Sequence, residues 1–248
     1  MRKTALITGA ARGIGRACAL ALAEAGFDIA LVDLLEPEMQ ATARDIEALG
    51  VRSLTFRADV SHFNRARAII EQTTATWGRL DVLVNNAGEP SPKPILEISE
   101  AEFDRAIAVN LKSCFNYVHA CAPVMVGQDS GGRIISISSL NALSGGVTSA
   151  VSKHAYAAAK AGILGLTRSL AKELGPKVSV NAVCPGIIAT ELLRDMISRR
   201  EAQLTSGIAM ARVGTPEDVA SIVRYLAADA HMFITGQHIV VDGFQWSC

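Results

Sequence analysis

Several features that mark nucleic-acid-binding, secreted and membrane proteins are missing from this chain of 248 residues. Basic and acidic residues both number 24, which leaves no positive surplus for nucleic acid or an acidic membrane. The cysteines, at positions 18, 114, 121, 184 and 248, have no CxxC spacing, which argues against a disulfide framework and a zinc site. No uncharged apolar run of about 18 residues occurs, and the first apolar run reaches glycine too early for a signal peptide. We therefore expect a cytoplasmic protein with a small-molecule ligand, no metal, and no nucleic-acid or membrane partner.

The order of apolar and helical segments predicts an α/β fold. Half of the residues are hydrophobic and 19% are charged, which suits one domain over residues 1–248 with a large core. Short runs such as KTALIT, DIALVD and LDVLVNNAG are apolar almost throughout and alternate with helical patterns. Such runs indicate parallel strands covered on both faces, hence a doubly wound parallel sheet. The pattern also predicts one long helix over 100–126, whereas residues 186–214 interrupt the rhythm and are expected to cover the substrate.

A glycine-rich turn follows the first strand. Gly9, Gly13 and Gly15 in TGAARGIG allow a tight turn whose backbone N–H groups, with the following helix N-terminus, can approach a pyrophosphate. The spacing is GxxxGxG rather than GxGxxG, and a tight turn that binds nothing is the alternative interpretation.

Asp33 bears on the choice between NAD and NADP. It closes the second predicted strand, 18 residues after Gly15, where a carboxylate accepts hydrogen bonds from ribose hydroxyls and repels a 2′-phosphate. Arg12 points the other way, since a guanidinium in this turn can pair with a 2′-phosphate or simply be solvated. The balance favours NAD, with NADP less favoured.

Tyr156 and Lys160 share one face of a predicted helix over 154–174. Their i, i+4 spacing lets the two side chains meet. An ammonium beside a phenol stabilises the phenolate and suits acid/base chemistry. A packing pair is the alternative, and the spacing alone leaves both open.

Four motifs in order carry a family resemblance: TGAARGIG, NNAG (85–88), YAAAK (156–160) and NAVCPGIIAT (181–190). With them the chain resembles the short-chain dehydrogenase/reductase family over nearly its whole length. The resemblance implies a one-domain Rossmann fold, hydride transfer between a secondary alcohol or ketone and a nicotinamide cofactor, and a homotetramer. It places the catalytic tetrad at Asn110, Ser139, Tyr156 and Lys160.

The resemblance also implies a role for each residue of the tetrad. Tyr156 exchanges the proton with the substrate oxygen, Ser139 donates a hydrogen bond to that oxygen, Lys160 holds the nicotinamide ribose, and Asn110 orders a water. The family's pattern assigns Asp59 to the adenine, and Ile188 and Thr190 to the carboxamide and a neighbouring phosphate. The full cofactor set comprises Gly9, Arg12, Gly13, Ile14, Gly15, Asp33, Asp59, Val60, Asn86, Ala87, Gly88, Tyr156, Lys160, Pro185, Gly186, Ile188 and Thr190.

Other polar residues near these motifs are assigned simpler roles. We expect Ser138 to be a packing residue, His154 to be solvated and Cys184 to belong to the core. Residues 140–155 lie between two catalytic motifs, and their polar composition suggests a substrate wall that favours a compact polar substrate.

Three functions remain in competition. An NAD(H)-dependent alcohol/ketone oxidoreductase, such as a sugar or polyol dehydrogenase, leads. A 3-oxoacyl thioester reductase using NADPH is the alternative within the family, and Asp33 speaks against it. A non-catalytic dinucleotide-sensing protein is an alternative of another class, disfavoured because sensing needs no proton relay.

Overall fold

The computed structural model describes residues 2–146, 151–191, 193–229 and 233–245. Seven strands form one parallel sheet in the order β3-β2-β1-β4-β5-β6-β7. The strands are β1 Thr4–Thr8, β2 Asp28–Asp33, β3 Ser53–Arg57, β4 Val82–Asn85, β5 Gly132–Ile137, β6 Val178–Pro185 and β7 His238–Val241. The α-helices are α1 Gly13–Glu24, α2 Glu36–Ala48, α3 Phe63–Trp77, α4 Glu100–Ile107, α5 Ser113–Gly127, α6 Asn141–Ser144, α7 His154–Leu174, α8 Arg194–Thr205 and α9 Pro216–Ala228.

Apolar side chains cover the sheet on both faces. Along β1, Ala5 and Ile7 pack in a cluster with α1, α2 and α9, whereas Leu6 between them packs with residues of α3 and α5. Successive strand residues point to opposite faces, so a strand covered on both sides is apolar throughout. The predicted doubly wound parallel sheet is therefore confirmed.

The prediction of one continuous helix over 100–126 is wrong in one respect. The chain forms α4, one π-helical turn over Ala108–Lys112 and then α5. At this turn the Asn110 side chain donates to the carbonyl oxygen of Ala106 at 3.0 Å, so a side chain takes up a carbonyl of the preceding turn. π-helical turns are frequent at functional sites, and this one carries a residue of the expected tetrad.

The segment over 186–214 is more regular than its sequence suggested, because it contains α8. A single parallel bridge between Ile188 and Gly214 closes the base of this segment. Ala189 N–H also donates to the Gly214 carbonyl oxygen at 2.8 Å. The two ends of the segment are thereby held beside the carboxyl end of β6.

Candidate active site

A cavity of about 640 Å³ lies outside the carboxyl ends of the strands. The chain order reverses between β1 and β4, which is the topological switch point where ligands bind in open parallel sheets. Of the residues expected from the sequence, those lining the cavity are Gly9, Arg12, Gly13, Ile14, Asp33, Asp59, Val60, Asn86, Ala87, Gly88, Ser139, Tyr156, Lys160, Pro185, Gly186, Ile188 and Thr190. One cavity thus brings together residues from most of the chain.

The glycine-rich turn is built for close approach of backbone to ligand. Gly9 and Gly13 have φ of 65° and 54°, which L side chains rarely adopt. Gly15 is buried beneath the turn, where a Cβ would overlap the Gly9 carbonyl oxygen. Because α1 begins at Gly13, its N-terminal dipole and free N–H groups face the cavity at this point. The turn fits the pyrophosphate of a dinucleotide.

Asn86 and Thr8 hold the turn against β4. The Asn86 side chain donates from Nδ2 to the carbonyl oxygens of Thr8 and Gly9, both at 3.0 Å. Thr8 Oγ1 accepts from the N–H groups of Asn86 and Ala87 at 3.0 and 3.1 Å. Thr8 begins the TGAARGIG motif, but no role was assigned to it from the sequence, because the motif does not show which backbone groups its hydroxyl binds. Asn86 thus stabilises the turn and also lines the cavity.

Asp33 ends β2 with its carboxylate facing the cavity, where backbone groups hold it. Oδ2 accepts from the N–H of Ala11 at 2.9 Å, and Oδ1 accepts from Leu34 and Leu35 at 2.7 and 3.0 Å. Both lone pairs of Oδ1 are thus occupied, whereas Oδ2 keeps one for a ligand, because a carboxylate offers about four lone-pair sites. Arg12 is exposed at the cavity edge. Asp33 and Arg12 therefore both line the cavity, and either could face the adenosine ribose of a dinucleotide.

Asp59 is a fixed anion at the end of β3. Its carboxylate accepts from Ser61 N–H and Oγ at 2.9 and 2.7 Å and from Arg105 Nη1 at 2.7 Å. Partial burial opposes ionisation, but the hydrogen bonds from Ser61 and Arg105 outweigh it and lower the pKa of Asp59 to about 2. Asp59 is thus ionised at neutral pH, and Val60 beside it is buried.

Tyr156 and Lys160 meet across one turn of α7. Lys160 Nζ lies 5.6 Å from the centroid of the Tyr156 ring and donates to the Ile137 carbonyl oxygen at 2.8 Å. Lys160 is only 3% exposed, whereas Tyr156 is half-buried and lines the cavity. A buried lysine with one carbonyl partner retains two N–H donors for a ligand or water.

The two neighbouring serines at the end of β5 differ in what they bind. Ser138 is buried and donates from Oγ to the Lys160 carbonyl oxygen at 2.7 Å. Ser139 Oγ accepts the Asn141 N–H at 3.1 Å, which leaves its hydroxyl proton able to point into the cavity. The geometry thus gives Ser138 a packing role and leaves Ser139 available to a substrate oxygen.

Asn110 lies below the cavity and is completely buried. Its Oδ1 accepts the N–H of Glu89 at 3.2 Å, and its Nδ2 donates to the Glu89 carbonyl oxygen at 3.0 Å. A Cβ on Gly88 would come within 2.8 Å of Asn110 Oδ1 and 3.5 Å of Lys160 Nζ. Because Gly88 has no Cβ, Asn110 Oδ1 and Lys160 Nζ can both lie close to its backbone.

Two residues near the tetrad were expected to have no part in catalysis. Cys184 is buried, and burial raises the pKa of its thiol, as expected for a core cysteine. His154 begins α7, and its Nε2 is shielded and finds no hydrogen-bond partner among the described residues. The expectation that His154 is merely solvated is therefore not met at this atom. Of the segment 140–155, residues 147–150, which include the polar Thr148, lie outside the described residues.

Among the residues that the structure describes, no group of three or more His, Cys, Asp or Glu residues could hold a metal ion. Nor does any helix in this part of the chain have the length and apolarity to cross a membrane.

Comparison with known proteins shows what this arrangement resembles. A family model described as "Enoyl-(Acyl carrier protein) reductase" matches residues 9–243. The 3-oxoacyl-[acyl-carrier-protein] reductase FabG of Staphylococcus aureus is 40% identical over 245 residues, 98% of each chain. The chain belongs to the short-chain dehydrogenase/reductase family. The resemblance drawn from the four motifs is thereby confirmed.

Further members of the short-chain dehydrogenase/reductase family bear different names. The 2-dehydro-3-deoxy-D-gluconate 5-dehydrogenase of Escherichia coli K12 is 35% identical, covering 97% of this chain and 94% of its own. The crystal structure of acetoin dehydrogenase YohF from Salmonella typhimurium superposes with a TM-score of 0.87 at 37% identity, covering 98% and 95% of the two chains. The chain is therefore an oxidoreductase of a family that uses nicotinamide dinucleotides. The substrates in the names of these relatives differ from one another.

Proposed function

We propose that this chain is an NAD(H)-dependent oxidoreductase that interconverts a secondary alcohol and a ketone. The observation that carries the proposal is the placement of Tyr156, Lys160 and Ser139 at one cavity with the carboxylate of Asp33. When bound, the dinucleotide accepts or supplies the hydride. The protein contributes position, a proton and fixed charges.

Each residue of the tetrad has a role in the proposed reaction. In oxidation the Tyr156 phenolate oxygen takes the proton of the substrate hydroxyl, and in reduction the phenol returns it. The Ser139 hydroxyl donates a hydrogen bond to the same substrate oxygen and fixes its position. Lys160 stabilises the phenolate through its charge and donates to the nicotinamide ribose. Asn110 orders a water that connects Lys160 to solvent.

The preference for NAD rests on the negative charge of Asp33. We expect Asp33→Asn to shift the ratio of kcat/KM values for NAD and NADP toward NADP by about tenfold or more, because it removes repulsion of a 2′-phosphate. Asparagine keeps a similar shape, and its one oxygen can still accept from Leu34 and Leu35, whereas the Ala11 N–H loses its acceptor. Glu38→Gln, on the exposed side of α2, serves as the control. Wild-type kinetics that favour NADP(H) would show the cofactor assignment to be wrong.

Polar side chains beside the tetrad support a compact polar substrate. Asn141, Ser144 and Ser152 line the cavity together with Leu140 and Val151, all within the segment expected to form a substrate wall. The relatives named for acetoin and for a deoxygluconate fit this preference. The opposing observation is the 40% identity to FabG, which supports a 3-oxoacyl thioester reductase as the second candidate.

The polar wall predicts an effect of Asn141 on substrate use. We expect Asn141→Leu to lower kcat/KM for the best polar substrate by about tenfold, because it removes a hydrogen-bonding side chain from the wall. The dinucleotide Kd should stay within about twofold under the same argument, because the loss is confined to the wall. Asn64→Leu, an exposed change in α3, is the control. If wild type and Asn141→Leu showed equal selectivity among substrates, residues 140–155 would not form the substrate wall.

A substrate panel tests the proposal as a whole. Small secondary alcohols, polyols, sugar acids and hydroxyacyl thioesters are each assayed with NAD and NADP by the absorbance of the reduced nicotinamide. We expect turnover of a compact polar alcohol with NAD. Turnover confined to hydroxyacyl thioesters with NADP would establish the second candidate instead. Assembly as a homotetramer and location in the cytoplasm stay predictions.

A further inference from the structure

A forked ion pair joins α4 to the loop that follows β4. Arg105 donates from Nε to Glu89 Oε1 at 3.0 Å and from Nη2 to Glu89 Oε2 at 3.2 Å. Such a two-pronged arginine–carboxylate contact fixes direction as well as distance, because both partners are planar. Neither residue belongs to any of the four motifs quoted from the sequence.

The same guanidinium reaches a third element. Arg105 Nη1 donates to Asp59 Oδ2 at 2.7 Å, and Asp59 is fixed from its other side by Ser61. One side chain on α4 therefore connects the end of β3 with the loop after β4. All three charged residues line the cavity.

Glu89 is also the residue whose backbone holds Asn110. Its N–H and carbonyl oxygen occupy the two ends of the Asn110 amide, at 3.2 and 3.0 Å. Two residues further along, the Ser91 carbonyl oxygen accepts the N–H of Lys153 at 2.7 Å, at the start of α7. The loop 88–91 thus contacts the Asn110 turn and the helix that carries Tyr156.

We propose that the Glu89–Arg105 pair is a positioning device that holds loop 88–91, and through it Asn110, in the geometry required for proton transfer. This inference rests on the proposed function. Both side chains are partly exposed, at 35% and 42%, and exposed ion pairs contribute little to stability. Its effect therefore falls on geometry and turnover rather than on folding.

Substitution separates the two connections that Arg105 makes. Glu89→Met and Arg105→Met each remove the fork, and we expect each to lower kcat by about tenfold, since small misplacements in an active site are costly. The double variant should lose no more than the single variants. Arg105→Met alone should also raise the dinucleotide Kd, because Asp59 loses its cationic partner. The control is Lys93→Met, which breaks the Lys93–Glu102 pair at 2.6 Å between a residue just beyond loop 88–91 and the same helix.

Amide hydrogen exchange gives a readout that does not depend on turnover. In ligand-free protein we expect faster exchange in peptides covering 86–92 and 106–112 for both fork variants and unchanged exchange in the control. The melting temperature of Glu89→Met should not change, whereas Arg105→Met also loses the contact with Asp59 and should melt at a lower temperature. Unaltered exchange in these peptides, or a double variant whose loss of kcat is the product of the single losses, would overturn the inference. A wild type that binds dinucleotide but turns over no alcohol would contradict the proposed function, while the exchange result would still decide the positioning role.

Discussion

Tyr156→Phe is expected to lower kcat by about 10²- to 10⁴-fold, the usual contribution of a positioned general acid or base. The dinucleotide Kd should change little, because the phenol oxygen is proposed to touch the substrate and the ring itself is retained. Tyr156 lines the cavity and its hydroxyl is the one lost group. Steady-state kinetics and dinucleotide titration on the same preparation measure the two effects.

The matched control for Tyr156 is Tyr225→Phe. Tyr225 is exposed on α9, so loss of its hydroxyl should leave both kcat and Kd unchanged. Retention of more than a tenth of wild-type kcat by Tyr156→Phe would remove the proton-transfer role, since proton transfer of this kind is worth at least about 10²-fold.

Lys160→Met is expected to impair both turnover and binding. Loss of the ammonium removes the charge that stabilises the phenolate and the proposed donor to the nicotinamide ribose. We expect kcat to fall by about 10²-fold or more and the dinucleotide Kd to rise about tenfold, the cost of one charged hydrogen bond. Initial rates and dinucleotide titration measure the two losses.

Folding is a separate concern for this substitution, because Lys160 is buried. Methionine fills a similar volume, but the Ile137 carbonyl oxygen loses the donor that Lys160 Nζ supplies. We therefore expect the melting temperature to fall by about 2–4 °C, and both measurements are made well below it. Lys172→Met, on the exposed part of the same helix, is the control for a lost lysine charge. An intact dinucleotide Kd in Lys160→Met would contradict the ribose contact and leave only the effect on Tyr156.

The sequence predicted the sheet because its strands are apolar on both faces. It predicted the meeting of Tyr156 and Lys160 because a helix fixes the i, i+4 distance. The glycine turn was equally visible, since positive φ restricts Gly9 and Gly13 to one residue type. In each case a local rule of backbone geometry determined the outcome.

Other features could not be predicted from local rules. The π-helical turn at Asn110 involves hydrogen bonds to Glu89, 21 positions earlier in the chain. The contact between Arg105 and Asp59 spans 46 positions. Helix α8 has weak apolar periodicity, so its sequence resembles an irregular segment. Side-chain contacts between distant elements depend on the folded arrangement, and one chain gives no local signal for them.

Transfer of deuterium from substrate to cofactor tests the central proposal most directly. A compact secondary alcohol that the panel identifies, deuterated at the carbinol carbon, is incubated with wild-type protein and NAD, and the reduced dinucleotide is examined by mass spectrometry. We expect deuterium to appear in NADH with the wild type and with Tyr225→Phe. With Tyr156→Phe we expect only background labelling, although that variant still binds NAD. Unlabelled NADH from the wild type, or equal labelling by Tyr156→Phe, would contradict the proposal.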